Sequence, residues 1–148
     1  MKAVIQRVSS ASVNVDSKII ASINRGLLIL LGVNNNDDEK DIEFLLNKTI
    51  SLRIFNDENQ NMNLSVQEIK GAILVVSQFT LCANTRKGRR PSFIEAAQPE
   101  KAEFMYQSFC KKLKDYNIPV ETGIFGAMME VKLANDGPVT IILDSKNV

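Results

Sequence analysis

The chain has 148 residues, of which 45% are hydrophobic and 24% are charged. A chain of this size and composition forms one compact soluble domain, and none of its apolar runs is long enough to span a bilayer. The formal net charge is only +1, so the protein as a whole is not a polycation. Any attraction for nucleic acid must come from a local cluster of basic residues. We therefore expect a single domain over residues 1–148.

The N-terminal segment and the two cysteines predict the cellular compartment of the protein. Residues 1–7 contain no long apolar core followed by a small-residue cleavage site, as a secretory signal would. Cys82 and Cys110 show no metal-binding spacing, and disulfides are rare in reducing compartments. We expect a cytoplasmic protein whose cysteines are buried or half-buried thiols.

The first half of the chain predicts a hairpin, a buried strand and a helix. Apolar and polar side chains alternate over residues 11–15, and a turn separates them from a second strand at residues 19–23. Residues 27–33 follow as a buried strand. Polar side chains at residues 34–39 then cap a helix that is predicted to run to about Lys48.

The second half predicts further strands and one more helix. Residues 51–55 form a short strand candidate, and residues 72–76 are apolar throughout, as in a centrally buried strand. Pro99 occupies the first position of a helix whose apolar side chains recur at helical spacing. Residues 129–143 are predicted to form a hairpin that turns at Asp136-Gly137. This order of elements predicts a mixed α+β domain on a mostly antiparallel sheet.

The lack of histidine removes the common hydrolytic and metal chemistries. No Ser-His-Asp or Cys-His arrangement can be built from this sequence, so its hydroxyl and thiol nucleophiles lack their usual base. Zinc lacks its ordinary ligands, and no segment has the spacing of a carboxylate cation loop. We expect no metal and no cofactor, and a site built largely from main-chain groups.

Polar side chains follow the apolar strand at residues 72–76. Ser77 and Gln78 come directly after it, and Phe79 and Thr80 follow. One interpretation is that the two hydroxyls only cap or turn the chain. The other is a pocket floor whose backbone N–H groups receive an oxyanion while Ser77 and Thr80 hydrogen-bond to a substrate.

Gly137 and Pro138 form a second candidate segment, which by itself is only a turn. A proline lowers the cost of a cis peptide bond to about 1 kcal/mol or less. If the bond is cis, the carbonyls of Gly137 and Pro138 could lie side by side as acceptors for an ammonium group. A substrate of opposite hand would then place its side chain where the protein already is.

A basic loop covers residues 85–91. Arg86, Lys87, Arg89 and Arg90 surround a glycine, which predicts an exposed segment. The loop is either a solvated surface feature or a contact for nucleic-acid phosphates.

These segments resemble the D-aminoacyl-tRNA deacylase family over nearly the full chain. Its two most specific motifs are Ser-Gln-Phe-Thr-Leu at residues 77–81 and Asn-x-Gly-Pro-Val-Thr at residues 135–140. Three other segments resemble family signatures in the same order: residues 3–8, the basic loop with residues 90–93, and residues 125–129. The resemblance implies the barrel-like α+β fold of that family.

The resemblance also implies roles for individual residues. Ser77, Gln78, Phe79 and Thr80 would line the pocket for the terminal adenosine and the aminoacyl group. No base lies near Thr80 in the sequence, so we expect it to position the substrate rather than act as a nucleophile. The other implied site residues are Ala102, Phe125 and Met129 on the adenosine side, the cis pair Gly137-Pro138, which enters the site of the other subunit, and Arg7, which helps to lock that pair.

The implied activity is hydrolysis of the ester that joins a D-amino acid, or glycine mischarged on tRNA(Ala), to the 3′ end of tRNA, with rejection of L-aminoacyl-tRNA. An aminoacyl ester is already activated and has a neighbouring ribose hydroxyl, so orientation and an oxyanion site could suffice without histidine. The implied partners are aminoacyl-tRNA and a second copy of the chain, with no membrane and no DNA.

One departure and two rivals accompany this interpretation. Residues 82–84 read Cys-Ala-Asn, where many relatives have Tyr-Ala-Asp, which should affect loop packing and the local potential but not the pocket. A non-catalytic RNA-binding module is supported by the basic loop and weakened by the lack of a stacking aromatic platform. A structural dimerisation domain would leave residues 77–80 and the Gly-Pro pair without a purpose.

Overall fold

A computed structural model describes residues 1–147 as two α-helices and eight strands. The helices are α1 (Glu39–Ser51) and α2 (Pro99–Lys114). The strands are β1 (Lys2–Val15), β2 (Lys18–Ile23), β3 (Gly26–Gly32), β4 (Phe55–Asn56), β5 (Met62–Leu64), β6 (Ala72–Ser77), β7 (Val120–Thr122) and β8 (Glu130–Asp144). A single 3-10 turn, Phe79–Cys82, follows β6.

Strand β1 is the centre of the sheet. One of its edges pairs with β8 along nearly its whole length, and the other pairs first with β3 and then, beyond Val8, with β2. On the far side of β3 the sheet continues with β6 and β7, which run parallel to it. Strand β2 also contacts β6 and β7, so the sheet curls into a nearly closed barrel. The predicted α+β class and mostly antiparallel sheet are confirmed.

Strand β6 separates two hydrophobic clusters. Ile73 and Val75 belong to the cluster that contains the apolar faces of α1 and α2, whereas Leu74 and Val76 belong to the cluster inside the curled sheet. Successive side chains of a strand point to opposite faces, so a strand covered on both faces needs an apolar residue at every position. This is why the run at residues 72–76 is apolar throughout, and the predicted central strand is confirmed.

Both helices begin near the positions that the sequence predicts. Asp38 is the N-cap of α1, its carboxylate accepts from the N–H of Lys40 at 2.9 Å, and Asp41 accepts from the N–H of Asp38 at 2.7 Å. These reciprocal bonds satisfy donors that the first helical turn leaves free. Helix α2 has Pro99 at its first position, where a missing N–H costs nothing.

The strand predicted at residues 51–55 is wrong. Helix α1 continues three residues past the predicted end, and Ser51 is its last residue. The N–H of Leu52 still donates to Lys48 O at 3.0 Å, so helical hydrogen bonding continues into the segment that was predicted as a strand. Only Phe55 enters a strand, in the two-stranded β4–β5 sheet.

The hairpin predicted at residues 129–143 is also wrong. Both halves of this segment belong to the single strand β8, and both pair with β1. Between the pairs Gln6–Thr140 and Val8–Asn135, β1 contributes one residue and β8 contributes the four residues 136–139. Because β1 is long enough to pair with both halves, the Gly-Pro segment bulges from a continuous strand instead of reversing it.

A buried ionic cluster ties the first residue to α1. The Met1 ammonium lies 2.6 Å from Asp37 Oδ1, with both groups fully buried. Asp41 accepts from Ser145 Oγ at 2.6 Å and from Lys146 Nζ at 2.7 Å. Burial alone would raise the pKa of Asp41, but the hydrogen bonds from Lys146 and Ser145 outweigh it and hold that pKa well below its ordinary value.

We expect Asp41→Asn to lower the free energy of unfolding by about 2 kcal/mol at pH 7, since charge-assisted hydrogen bonds are lost. A carboxylate whose pKa is depressed in the folded state contributes stability above its unfolded pKa of about 4, and this contribution disappears as pH falls toward the folded value. Urea unfolding between pH 7 and pH 2 should therefore show the variant and the wild type converging in acid. Asp16→Asn, in an exposed turn, is the control and should follow the wild type. Parallel profiles for Asp41→Asn and wild type would contradict the assignment.

Candidate active site

A cavity of about 560 Å³ opens at the C-terminal end of β6. Its walls are mostly apolar, and its few polar side chains come from the strand end and from α2, a composition typical of small-ligand sites. Six residues nominated from the sequence line it: Ser77, Gln78, Phe79, Ala102, Phe125 and Met129. The structure therefore brings together two segments and a helix that are far apart in the sequence.

The floor of the cavity is the junction between β6 and the 3-10 turn. Ser77 is the last residue that pairs with β3, and the N–H of Gln78 donates to Leu31 O at 2.8 Å. The first N–H groups of a helical turn have no partner within it. The N–H groups of Phe79 and Thr80 donate to no backbone acceptor among residues 1–147, which leaves two main-chain donors at the cavity end of β6.

Thr80 is not one of the residues that line this cavity. Gln78 Nε2 donates to Thr80 Oγ1 at 2.5 Å, so the hydroxyl is engaged with a neighbouring amide. An amide is no base, and a threonine nucleophile needs one. The contact therefore suits a positioning group.

Tyr106 is a cavity residue that the sequence prediction did not single out. Its ring lies 5.9 Å from that of Phe125, and its hydroxyl donates to Val75 O at 2.8 Å in a buried bond. Burial raises the pKa of Tyr106 far above its ordinary value, so the phenol stays neutral. Ala102 precedes it by one helical turn, and that spacing was the only sequence signal for its position.

Arg7 holds the Gly-Pro bulge from beneath. The residue is buried, with 7% of its surface exposed. Nη1 donates to Ile54 O at 2.6 Å, Nε donates to Asp136 O at 3.1 Å, and Nε also lies 3.3 Å from the Asp136 carboxylate. Asn135 Nδ2 donates to Arg7 O at 2.9 Å and to Val139 O at 3.0 Å. Side chains thus anchor both ends of the bulge.

The Gly137–Pro138 bond at the tip of the bulge is cis, and both residues are exposed. Neither residue lines the cavity. Arg7 pairs with Leu27, whereas Ser77 pairs with Leu31. Four residues of strand, at about 3.3 Å each, separate the two levels by about 13 Å. Within one chain, the Gly-Pro bulge and the cavity are therefore separate features.

The basic loop at residues 85–91 is exposed, as predicted. Asn84 and Ser92 exchange two backbone hydrogen bonds of 2.8 and 3.0 Å and close its base. Within residues 1–147, the salt bridges involve none of its four cations, Arg86, Lys87, Arg89 and Arg90. Their charge is therefore available to an anionic partner.

Both cysteines are buried free thiols, which confirms the sequence interpretation. Burial raises the pKa of Cys82 and raises that of Cys110 to about 12, so neither is a thiolate near neutral pH. In the described part of the chain, no three histidine, cysteine, aspartate or glutamate side chains are grouped to hold a metal ion. No α-helix among residues 1–147 has the length and apolarity needed to cross a membrane.

Two solved structures share this architecture. The one titled c-Myc DNA Unwinding Element Binding Protein matches with a TM-score of 0.92 and 42% sequence identity, over 97% of this chain and 98% of that chain. A probable eukaryotic D-amino acid tRNA deacylase matches with a TM-score of 0.81 over 96% of this chain and 97% of that chain. Its 17% identity supports the fold alone.

Sequence comparison gives the family. A D-aminoacyl-tRNA deacylase of Thermosipho melanesiensis is 59% identical over 149 residues, covering 100% of this chain and 99% of that protein. The D-aminoacyl-tRNA deacylase of Aquifex aeolicus is 57% identical, with 100% of both chains covered. Residues 4–144 match the family model described as D-Tyr-tRNA(Tyr) deacylase. The chain, with its cavity at the end of β6 and its anchored Gly-Pro bulge, therefore belongs to the D-Tyr-tRNA(Tyr) deacylase family.

Proposed function

We propose that the protein hydrolyses the ester between a D-amino acid and the 3′ end of tRNA in the cytoplasm, and that glycine mischarged on tRNA(Ala) is a second substrate. The observation that carries this proposal is the cavity at the end of β6, where a mostly apolar wall includes Phe79, whose N–H donates to no backbone acceptor among residues 1–147. Relatives that cover the whole chain are named D-aminoacyl-tRNA deacylases, which supports the substrate class.

The proposed reaction needs no histidine. Water attacks the ester carbonyl, the bond to the ribose oxygen breaks, and the neighbouring ribose hydroxyl relays the proton that the water loses to the leaving oxygen. Negative charge develops on the carbonyl oxygen, where the free N–H groups of Phe79 and Thr80 would stabilise it. Removing one such donor typically costs about 10²- to 10³-fold in rate. The apolar wall keeps bulk solvent away from the carbonyl oxygen, and the lower local dielectric strengthens these hydrogen bonds.

The side chains of the floor orient the ester in this mechanism. Ser77 is half-buried at the end of β6 and lines the cavity together with Gln78. Thr80 acts through its hydrogen bond to Gln78 and positions that amide. Ala102, Phe125 and Met129 form the opposite wall, which we assign to the terminal adenosine. Orientation of an already activated ester supplies much of the rate in such a site.

A second copy of the chain would complete the site. The exposed Gly-Pro bulge lies about 13 Å along the sheet from Ser77, so a partner's bulge is the better candidate to reach the cavity. Among residues 1–147, β8 pairs only with β1, which leaves its other edge without a partner strand. Ile142 of this strand is 75% exposed. Unpaired edges of this length are normally covered, and a two-fold dimer would place each bulge against the other subunit.

Chiral selection follows from the bulge in this arrangement. The carbonyls of Gly137 and Pro138 would accept hydrogen bonds from the α-ammonium group of the substrate. Gly137 adds no side chain at that point, and Arg7 fixes the backbone from below. An L-amino acid held by the same ammonium contacts would direct its side chain into the bulge, so the site would reject it by collision.

The test is to incubate purified protein with D-tyrosyl-tRNA, L-tyrosyl-tRNA and glycyl-tRNA(Ala) in parallel. We expect loss of the D-tyrosyl and glycyl esters, with the L-ester decaying at the rate of a protein-free control. Binding of tRNA without hydrolysis of any ester would contradict the proposal and support the rival function, a non-catalytic RNA-binding module.

Single-stranded DNA belongs in the same assay as a competitor. The name of one structural neighbour refers to a DNA element, and the basic loop would attract any phosphate backbone. We expect deacylated tRNA to inhibit hydrolysis more strongly than a DNA oligonucleotide of equal length at the same salt concentration. Equal inhibition would contradict the expectation that DNA is no partner.

A further inference from the structure

Phe79 and Phe93 form an exposed aromatic platform between the cavity and the basic loop. Their ring centroids lie 5.1 Å apart at an interplanar angle of 66°, an edge-to-face pair. Phe79 is 58% exposed and Phe93 is 36% exposed, although aromatic rings of this size are usually buried. Phe79 lines the cavity, whereas Phe93 lies outside its lining. The platform therefore extends from the cavity toward solvent.

The segment that carries Phe93 is held in place by hydrogen bonds to its backbone. Asn35 donates from its side chain to Ile94 O at 2.8 Å and from its backbone to Glu95 O at 2.9 Å. The N–H of Ala97 donates to Val33 O at 2.9 Å, which ties the segment to the end of β3. A platform fixed in this way loses little conformational entropy when a ligand stacks on it.

The basic loop places unpaired charge beside this platform. Its base closes at the Asn84–Ser92 pair, immediately before Phe93. Its four arginine and lysine side chains are exposed and take part in none of the salt bridges within residues 1–147. Exposed aromatic rings beside cations are the combination that binds single-stranded nucleic acid, through base stacking and phosphate contacts.

We propose that the aromatic platform and the basic loop bind the unpaired nucleotides that precede the terminal adenosine of the tRNA. The adenosine occupies the cavity next to Phe79, the base before it stacks on Phe93, and the phosphates follow the loop cations. This inference rests on the proposed function, because an adenosine in the cavity places its neighbour at Phe93. It also corrects the sequence-based statement that the chain lacks a stacking platform.

The test compares D-tyrosyl-tRNA with 3′-O-D-tyrosyl-adenosine, which keeps the terminal adenosine and lacks every nucleotide before it. Phe93→Leu keeps an apolar side chain but removes the stacking face. We expect it to lower kcat/KM for the tRNA ester about tenfold and to leave the adenosine ester at the wild-type rate. Phe93→Tyr keeps an aromatic face and should restore kcat/KM for the tRNA ester to the wild-type value. Phe104→Leu is the matched control, because Phe104 on α2 is also exposed, at 69%. This variant should leave kcat/KM unchanged for both esters.

Salt dependence provides a second readout. Arg89→Ala should lower the slope of log kcat/KM for the tRNA ester against log salt concentration by about 1, as expected for one lost phosphate contact. An unchanged slope for this variant would show that Arg89 does not contact a phosphate of the tRNA.

Three results would overturn the inference. Phe93→Leu could lower kcat/KM equally for both esters, or it could leave kcat/KM unchanged for both. It could also convert a dimer into a monomer in analytical ultracentrifugation, which would assign Phe93 to a subunit contact. If the wild type hydrolyses neither ester, the proposed function fails while the platform remains testable. Binding of the trinucleotide cytidine-cytidine-adenosine should then still weaken about tenfold in Phe93→Leu, and equal binding would reject the platform.

Discussion

Gly137→Ala should lower the rate of D-ester hydrolysis by about 100-fold or more, since a displacement of about 1 Å near a reacting group can cost that much. Gly137 has a φ of +126°, which side-chain-bearing residues rarely adopt. An added methyl group would lie 2.9 Å from Arg7 Nη2 and 2.8 Å from Val139 Cγ2. The bulge has to move away from Arg7 to relieve these contacts. Single-turnover hydrolysis of D-tyrosyl-tRNA measures the loss.

Gly88→Ala is the matched control for backbone strain. Gly88 also has a positive φ, +68°, but an added methyl group would meet no atom within 4 Å. Its effect should be a loss of about 1 kcal/mol in stability, with hydrolysis of 3′-O-D-tyrosyl-adenosine unchanged. If the two variants lose equal activity on that small ester, strain rather than displacement of the bulge explains the Gly137 result.

Arg7→Lys should lower the free energy of unfolding by about 2 kcal/mol and reduce the preference for D-tyrosyl-tRNA over L-tyrosyl-tRNA. The guanidinium bridges Ile54 O and Asp136 O, and a single ammonium group cannot reproduce that fork. A buried carbonyl then lacks its donor, and the bulge loses its anchor. Urea unfolding gives the stability change, and parallel assays of the two esters give the ratio.

Arg53→Lys is the corresponding control. Arg53 also bridges two oxygens, the backbone and side-chain carbonyls of Asn63, but it is exposed and water can replace both bonds. Its stability change should stay within about 0.5 kcal/mol. If Arg7→Lys lowers stability but leaves the D-to-L ratio at the wild-type value, Arg7 supports the fold without positioning the bulge.

Local sequence patterns were reliable wherever a few neighbouring residues decide the structure. The polar run at residues 34–39 and Pro99 predicted the helix starts because the first turn of a helix depends on the side chains within it and just before it. The apolar run at residues 72–76 predicted a buried strand because both of its faces are covered. The motifs also predicted the family, which the comparisons confirm.

The errors arose where residues outside the segment decide its structure. A Gly-Pro turn signal between two strand-like runs is the same for a hairpin and for a bulge, and only the length of β1 selects the bulge. Residues 51–55 look like a strand by themselves, but the helical ladder extends to Leu52. Tyr106 and Phe93 were not predicted as site residues because only the tertiary structure places Tyr106 in the cavity lining and Phe93 against Phe79.

The sequence by itself determined the family and the absence of histidine, and hence the expectation of a site that uses main-chain donors and orientation instead of a side-chain base. Only the tertiary structure decided where the parts lie. It places Ser77, Gln78 and Phe79 in a cavity with residues from α2, and it anchors the exposed Gly137-Pro138 bulge on Arg7, away from that cavity. The physical reason is that strand pairing between β1 and β8 joins residues more than a hundred positions apart, and no local pattern encodes that register.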